Sequence, residues 1–398
     1  MDVMRNPLRR GGGAMMAAVL TLGASAALLS TVPSAGALTQ HTADVFTDED
    51  DGSCVPGDCS LREALDAASG DGDASEIILL AGTYEVTLGT LEDTTVEPLT
   101  FTGTGAATTI IDATTPGASI ALSTGDDTTL AGLTLLAAPA EVSDTVGVSV
   151  SGTLVTDHVV IDVRSAEVGV GAYGVVAGAA RITDSTIRVT ASATDADTST
   201  AYGVRADDTS LVRSSVVVES TGDAYGVDVG GGDARNTTFS VRTTGGESAA
   251  RIWSTEGIVD VVEVTAVADG SEAYLFQTSN GSEIANSILV GTCTGNKFLS
   301  NGGNVVLIGS DCEDVAIAAN DRVVADAALL PLADNGGPGP TFLITQASPA
   351  FDNGLPASCS ATDERGVPRP QFSACDSGAV EIAPEVVPAV PLEPTFTG

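Results

Sequence analysis

The chain has 398 residues, of which 43% are hydrophobic and only 4% aromatic, and its 53 acidic and 16 basic residues give a formal net charge of −37. Such a charge excludes nucleic acid as a partner, because phosphate binding requires clustered basic side chains, and it would also repel an acidic polysaccharide. The abundance of small and β-branched residues is typical of short strands joined by tight turns.

The first 37 residues have the pattern of a secretory signal peptide. Arginines precede an apolar run from Ala14 to Leu29, and the small residues at 35–37 suit a signal peptidase. After residue 37 no apolar run approaches the ~20 residues that a membrane helix needs. The sequence therefore predicts a secreted or extracellular chain that begins near residue 38 and contains no transmembrane helix.

All 6 cysteines lie after the predicted signal peptide, in a location where disulfides are favoured. Proximity in sequence selects three pairs, each of which closes a short loop. The pairs are Cys54 with Cys59, Cys293 with Cys312, and Cys359 with Cys375. A zinc site is a poorer interpretation, because the cysteines are not spaced as Cys-x-x-Cys pairs and both histidines are distant from them in sequence.

A short helix is predicted directly after Cys59. Ser60 and Glu63 form a capping-box pair, so the helix should begin at Leu61. Its apolar face would consist of Leu61, Ala64, Leu65 and Ala68. We expect this helix to cover the open end of a β-solenoid, where strand edges would otherwise invite aggregation, and we expect Arg62 to pair with a nearby carboxylate.

The hexapeptide from Cys59 to Ala64 resembles the signature of the CSLREA domain, a short module found in front of β-helix repeats in secreted bacterial proteins. The segment from Ile77 to Tyr84 is similar to the sequence that usually follows this signature. The resemblance covers only a small part of the chain. It implies an exported, right-handed parallel β-helix and brings no known chemistry with it.

Three acidic residues in front of the predicted helix, Asp48, Asp50 and Asp51, are candidate Ca²⁺ ligands. Alternating carboxylates of this kind open an EF-hand loop. The pattern departs from that loop at its twelfth position, which is Cys59 instead of Glu. Ca²⁺ is the one cofactor that the sequence brings into consideration.

The centre of the chain repeats the phrase Ala-Tyr-Gly-Val, at 172–175, 201–204 and 224–227. Weaker copies place Val146, Ala250 and Tyr274 at the tyrosine position, so the steps are 27, 29, 23, 25 and 24 residues. A period of this length, built from strands, is typical of a solenoid in which each repeat forms one coil. Leucine-rich repeats are an alternative, but they need fixed Leu positions, whereas Val and Ile occupy the inward positions here.

We therefore predict an all-β chain folded as a single-stranded, right-handed parallel β-helix. The helical cap would occupy 38–75, the coils 76–312, and an irregular C-terminal cap 313–383. The tyrosines Tyr173, Tyr202 and Tyr225 would stack in successive coils. Equivalent corners would be occupied by Asp184, Asn236 and Asn286, because Asx residues tolerate the left-handed backbone conformation that such corners require.

Carboxylates on the coils are candidate catalytic residues, because glycoside hydrolysis requires two carboxyl groups facing each other across a cleft. The candidates form two adjacent pairs, Asp126 with Asp127 and Asp207 with Asp208. Neighbouring residues on a strand point to opposite faces, so neither pair alone supplies such a cleft.

A polysaccharide lyase would instead need a basic residue near the substrate. Lys297 is the only lysine of the sequence and lies outside the central coils. Four arginines on the coils are expected to project outward and to make solvated ion pairs. They are Arg188, Arg205, Arg213 and Arg242.

After Cys312 the periodicity stops and four turn-rich motifs follow. They are similar in type and order to the choice-of-anchor Q domain, which closes many such β-helices and precedes varied surface anchors. The motifs are Asp334–Pro338, Ser348–Asp352, Asp363–Pro370 and Cys375–Glu381. Phe351 and Val380 depart from the family pattern, which has an aliphatic and an aromatic residue at these places. Buried or half-buried ion pairs are expected among Asp352, Asp363, Arg365, Arg369 and Asp376.

The remaining segment, 384–398, is Pro-rich and predicts an extended tail without a hydrophobic anchor. Together these patterns predict a secreted or cell-surface protein that presents loops for adhesion or for glycan or surface binding, without catalysis. A carbohydrate-active enzyme, either a polysaccharide lyase or a glycoside hydrolase with a carboxylate site on the flank of the β-helix, is the alternative.

Overall fold

The structure is a computed structural model that describes residues 38–115, 119–138, 143–166, 169–192, 199–245, 249–254, 257–270, 272–278, 282–295, 298–312 and 318–384. The predicted signal peptide, Lys297 and all but the first residue of the Pro-rich tail lie outside these residues. Within the described ranges, no helix has both the length and the apolar character needed to cross a membrane.

The described chain contains 26 strands, the α-helix α1 (Leu61–Asp71) and a 3-10 helix (Pro356–Ser358). The strands of the first half are β1 (Thr39–Ala43), β2 (Ser75–Leu79), β3 (Gly82–Glu85), β4 (Leu91–Asp93), β5 (Leu99–Thr102), β6 (Thr109–Ala113), β7 (Ile120–Thr124), β8 (Thr128–Ala131), β9 (Thr134–Ala137), β10 (Thr145–Asp157), β11 (Val160–Ser165), β12 (Gly171–Thr183) and β13 (Thr186–Ala191). Those of the second half are β14 (Thr200–Val212), β15 (Ser215–Ser220), β16 (Asp223–Val229), β17 (Gly232–Thr243), β18 (Ala249–Ser254), β19 (Val259–Asp269), β20 (Glu272–Thr278), β21 (Glu283–Ala285), β22 (Ile288–Val290), β23 (Thr292–Gly295), β24 (Leu299–Gly302), β25 (Val305–Leu307) and β26 (Arg322–Val324).

These strands stack as the coils of a parallel β-solenoid, which confirms the predicted fold. Each strand pairs in parallel with its equivalents in the neighbouring coils. Three sheets result: the first begins with β1, β2 and β5, the second with β3, β6 and β9, and the third with β4, β7 and the first half of β10. Long strands such as β12 and β14 bend at a corner and serve the third sheet and then the first. A leucine-rich repeat has one strand per repeat, so three sheets argue against that alternative.

The Ala-Tyr-Gly-Val phrase is explained by stacking in the third sheet. Ala201 and Val204 are fully buried, while Tyr202 lies on the outer side of its coil. Gly203 approaches the next coil so closely that a Cβ atom would lie 2.4 Å from the carbonyl oxygen of Gly226. The phrase therefore specifies two buried side chains, one outward aromatic ring and one position where two backbones touch.

The row of tyrosine positions differs from the prediction in its fifth member. Tyr225 pairs with Arg251, and Arg251 pairs with Tyr274, so Arg251 stands where the sequence predicted Ala250. Ala250 instead pairs with Ala224. The prediction was shifted by one residue because two alanines precede Arg251 and the phrase itself is lost there.

The predicted corner residues Asp184, Asn236 and Asn286 occupy equivalent positions between the first and second sheets. Their φ angles are 47°, 48° and 47°, in the left-handed region that Asx residues tolerate. The same row of corners also contains His158, Arg213 and Glu263, with φ of 55°, 47° and 56°. The solenoid therefore imposes the left-handed conformation even on residues that do not favour it.

Helix α1 covers the first coil, where it packs against β1, β2 and β4. Both bonds of the capping box are present: Glu63 N donates to Ser60 Oγ at 3.2 Å, and Ser60 N donates to Glu63 Oε2 at 2.9 Å. Arg62 forms the expected ion pair, with Asp48 at 2.9 Å. The cap is not separate from the coils, because β1 already belongs to the first sheet through its pairing with β2.

The C-terminal segment is irregular, as predicted, but it runs along the flank of the solenoid. Thr186 and Ser215 donate hydrogen bonds to the carbonyl oxygens of Pro338 and Pro340, at 2.6 and 3.0 Å. Several coils further on, Asn286 exchanges two hydrogen bonds with the backbone of Leu355. We term residues 325–384 the flank segment. It covers the corner row between the first and second sheets, whereas an end cap would contact the last coil alone.

Two of the three predicted disulfides are present, Cys54 with Cys59 and Cys293 with Cys312. The third prediction is wrong for this structure, because Cys359 and Cys375 are free thiols. Their Sγ atoms nevertheless lie within 4.8 Å of each other and of the carboxylate of Glu263. Proximity in sequence thus selected residues that do meet, but it could not include the buried carboxylate that the solenoid brings to the same place.

The predicted ion pairs of the flank segment are confirmed only in part. Asp363 pairs with Arg365 at 2.8 Å, but Arg369 lies 3.4 Å from Glu381, a residue outside the predicted set. The carboxylates of Asp352 and Asp376 accept backbone N–H groups instead, from Ala374 and Ile382 respectively. Some of the carboxylates in this segment therefore stabilise turns by accepting backbone N–H groups and do not form ion pairs.

Candidate functional site

The outer face of the third sheet carries a stacked row of aromatic rings. The ring centroids of Tyr173 and Tyr202 lie 5.0 Å apart and those of Tyr202 and Tyr225 4.5 Å apart, with interplanar angles of 4° and 9°. The guanidinium of Arg251 continues the row, at 5.0 Å from the Tyr225 centroid and 5.7 Å from that of Tyr274. We term these five residues the tyrosine row. Because the rings face one another along the stack, a ligand at this surface would meet ring edges and hydroxyl groups.

Burial raises the pKa of the phenols in this row. For Tyr202 the pKa reaches about 12, because burial is reinforced by the phenol of Tyr225 and the carboxylate of Asp228, while Arg205 opposes them. The pKa values of Tyr173 and Tyr225 are also raised, again mainly by burial. These hydroxyl groups therefore keep their protons at neutral pH and can both donate and accept hydrogen bonds.

We expect a Tyr202→Phe variant to lose the phenol that ionises near pH 12. The ultraviolet absorbance of phenolate, followed from pH 8 upward, would show the wild-type protein ionising one group more than the variant in that range. In denaturant the missing group would instead titrate near the ordinary value of about 10. If the native variant instead showed a smaller absorbance change than the native wild-type protein near pH 10, Tyr202 would ionise at its ordinary pKa and the buried, stacked arrangement would be contradicted.

Beside the tyrosine row lies a depression of about 340 Å³ that contains Arg205, Asp207 and Asp228. Arg205 Nε is 3.7 Å from Asp228 Oδ2, and the guanidinium carbon is 5.6 Å from the Tyr202 ring centroid. Arg205 and Asp228 are register partners, so one coil supplies the cation and the next coil supplies the carboxylate. We term this the Arg205 depression. It offers a charged donor and two charged acceptors at an open surface.

The structure separates the four predicted catalytic carboxylates. Asp207 lines the Arg205 depression, whereas Asp208 belongs to the first sheet and pairs with Arg181 at 2.7 Å. Asp127 accepts a hydrogen bond from the backbone N–H of Thr153 at 2.7 Å, which explains it as a turn residue. Asp126, half-buried beside it, does not line the depression either.

Sequence reasoning missed Asp228, the second carboxylate of the depression. Arg205 and Asp228 each stand three residues after the tyrosine of their phrase. Superposing the repeats would therefore have placed them side by side. Searching for carboxylates adjacent in sequence could not find this pair, because it is formed across coils.

The other predicted arginines do form outward ion pairs with acidic neighbours, as expected. Arg188 lies 3.7 Å from Asp162, Arg213 pairs with Asp184, and Arg242 lies 3.2 Å from Asp269. Arg205 also has an acidic partner, Asp228, and in addition lines a depression together with two carboxylates.

The first sheet carries a row of acidic residues. In the strand register Asp233 lies beside Asp260, and Asp260 lies beside Glu283, so three exposed carboxylates repeat in successive coils. They belong to a different sheet from the tyrosine row. Asp260 is therefore a suitable matched control for substitutions at the Arg205 depression.

The structure does not assemble the predicted Ca²⁺ ligands into a metal-binding group. In the described part of the chain, the groups of three or more potential ligand residues are Glu263 with Cys359 and Cys375, and Asp157 with His158 and Asp184. Neither includes Asp48, Asp50 or Asp51. Asp48 is already engaged by Arg62 and by the backbone N–H groups of Thr87 and Leu88.

No protein-family model, curated protein or solved structure matches this chain. The fold and the site themselves define its class: a parallel β-solenoid whose third sheet presents a stacked tyrosine row beside an open depression with one cation and two carboxylates.

Proposed function

We propose that this protein is a secreted or cell-surface β-solenoid that binds a glycan on the outer face of its third sheet and does not catalyse a reaction on it. The resemblances to CSLREA and choice-of-anchor Q proteins support an exported role. Two disulfides are compatible with an extracellular location. Among glycans, the proposed ligand is a neutral polysaccharide, because the net charge of −37 on the protein repels acidic polysaccharides.

The observation that carries this proposal is the Arg205 depression beside the tyrosine row. Its guanidinium and its carboxylates, from Asp207 and Asp228, are the charged donors and acceptors that make the stronger hydrogen bonds to hydroxyl groups. The rings of Tyr202 and Tyr225 are stacked one coil apart, so their hydroxyl groups recur from coil to coil along the third sheet. A chain of repeating sugar units presents hydroxyls at regular intervals in the same way.

The experiment that tests this proposal is to measure the retention of the full chain on a panel of insoluble neutral polysaccharides. Replacing both Arg205 and Asp228 by alanine is expected to weaken retention at least about tenfold, because charged hydrogen bonds are lost. Asp260→Asn, on the first sheet, is the matched control and should leave retention unchanged. Retention that persists in the double variant, or falls equally in the control, would show that the depression is not the binding site.

A carbohydrate-active enzyme is the second candidate function, favoured by the presence of Asp207 and Asp228 in one depression. Two carboxyl groups at one site are what glycoside hydrolysis requires. The same panel is therefore assayed for new reducing or unsaturated ends. Release abolished by Asp207→Asn and by Asp228→Asn, but preserved in Asp208→Asn, would replace the binding proposal by an enzymatic one.

A further inference from the structure

The flank segment meets the solenoid at a group of two thiols and a carboxylate. The Sγ atoms of Cys359 and Cys375 and a carboxylate oxygen of Glu263 lie within 4.8 Å of one another. Cys375 and Glu263 are buried, and Cys359 is partly exposed. Glu263 is a corner residue of the solenoid, whereas the two cysteines belong to separate turns of the flank segment. The group therefore exists only once the segment has docked.

Neighbouring groups fix the orientation of these three side chains. The carboxylate of Glu263 accepts the backbone N–H of Ser360, at 2.9 and 3.2 Å to its two oxygens, and Arg369 Nη1 lies 3.9 Å from Oε1. Asn286 Nδ2 lies 4.0 Å from Cys375 Sγ. Hydrogen bonds of this kind orient the ligands of metal sites.

We propose that Cys359, Cys375 and Glu263 bind a thiophilic divalent cation, for which Zn²⁺ has the matching ligand preference. Zn²⁺ accepts cysteine sulfur and carboxylate oxygen, usually with four ligands. The exposed side of Cys359 gives access for the ion and for a water molecule at the fourth position. Glu263 adds a carboxylate oxygen to the two free thiols, so the group offers three ligands from side chains that are close together.

The binding step balances without an oxidant. One hydrated divalent ion exchanges bound water molecules for the two thiolate sulfurs and a carboxylate oxygen of Glu263, and the two thiol protons leave to solvent. The charge of the site is therefore unchanged, so the balance among Glu263, Glu381 and Arg369, the charged groups that face the thiols, is preserved. Forming a disulfide instead would remove two electrons as well as two protons.

Metal binding would connect distant parts of the chain. Cys54 with Cys59 and Cys293 with Cys312 close loops with separations of 5 and 19 residues, whereas Ser360 beside Cys359 is 97 residues from Glu263. The ion would thus hold the flank segment on the corner row, and binding would raise the thermal midpoint of the full chain by about 5 °C at an ion concentration near a hundred times the Kd.

The test is a titration of the full chain with Cd²⁺, a spectroscopic probe for thiolate sites, and with Zn²⁺ as competitor. We expect one ion per chain, with a sulfur-to-Cd²⁺ charge-transfer absorption. Thiols bind the ion as thiolates and are largely protonated in neutral solution, so two protons are released per ion and the affinity should increase up to about 100-fold per pH unit. Calorimetry in buffers of different ionisation enthalpy counts these protons directly.

Three variants complete the test. Cys375→Ser should abolish the charge-transfer band, and Glu263→Gln should weaken binding about tenfold or more while both thiols are kept. His158→Ala, in the exposed Asp157, His158 and Asp184 group, should change nothing. If Cys375→Ser does not fold, Glu263→Gln decides the question alone. The proposal is overturned if peptide mapping finds Cys359 bonded to Cys375, if no ion binds, or if Glu263→Gln binds as tightly as the wild-type protein.

Discussion

A Gly203→Ala substitution is expected to lower the free energy of unfolding by about 3 kcal/mol. The added Cβ atom would lie 2.4 Å from the carbonyl oxygen of Gly226 and 2.7 Å from Cγ1 of Val216. The first of these contacts is with backbone, which cannot move away without breaking the pairing of β14 with β16. Urea unfolding followed by circular dichroism measures the loss.

Gly70 provides the matched control for this experiment. It lies inside α1, and a Cβ atom added there meets nothing within 4 Å. Gly70→Ala is therefore expected to increase the free energy of unfolding by about 1 kcal/mol, since alanine is the better helix former. If Gly203→Ala were as stable as the wild-type protein, the close approach of the two coils would be wrong.

The fold could be predicted because its determinants repeat. Each copy of the Ala-Tyr-Gly-Val phrase solves the same packing problem, so period and alternation together reveal the coils and the stacking of Tyr173, Tyr202 and Tyr225. The predictions failed where repetition failed. At Arg251 the phrase is lost and the predicted register was wrong by one residue. The flank segment has no period from which its course along several coils could be inferred.

The candidate site was harder to predict than the fold, because its residues meet across coils. Asp207 was recognised only as part of an adjacent pair, whereas its partners Arg205 and Asp228 come from two different repeats. Glu263 gave no signal at all in the sequence, since its meeting with Cys359 and Cys375 depends on where the flank segment docks. A site formed between a repeat and a non-repeating segment can be predicted only when the positions of both along the solenoid are known.

The flank segment also buries a carboxyl group against the solenoid. Glu364 is almost fully buried, and its Oε2 accepts a hydrogen bond from Thr238 Oγ1 at 2.6 Å. Its other oxygen, Oε1, has no hydrogen-bond partner among the described residues. Burial raises the pKa of Glu364 well above its ordinary value, and Asp363 adds to this, while Thr238, Arg365 and Arg369 oppose it. The native state therefore holds this proton at a pH where the unfolded chain has lost it.

Stability should consequently fall as the pH rises past the unfolded pKa of Glu364, near 4.5. Above that value the unfolded state binds fewer protons than the native state, so the free energy of unfolding decreases by up to about 1.4 kcal/mol per pH unit until the native pKa is reached. Below it both states are protonated and the contribution of Glu364 to stability is fully retained.

We expect Glu364→Gln to remove this decrease, because glutamine keeps the shape and the bond from Thr238 without the charge. Its stability should equal that of the wild-type protein near pH 4 and exceed it by a growing margin toward neutral pH. Urea midpoints measured from pH 4 to pH 8 test this, with the exposed Asp260→Asn as control. The buried carboxyls of Asp376 and Glu381, whose pKa values are also raised, contribute equally to both proteins, so the difference isolates Glu364. Parallel pH profiles for Glu364→Gln and the wild-type protein would show that the flank segment does not bury an uncharged Glu364.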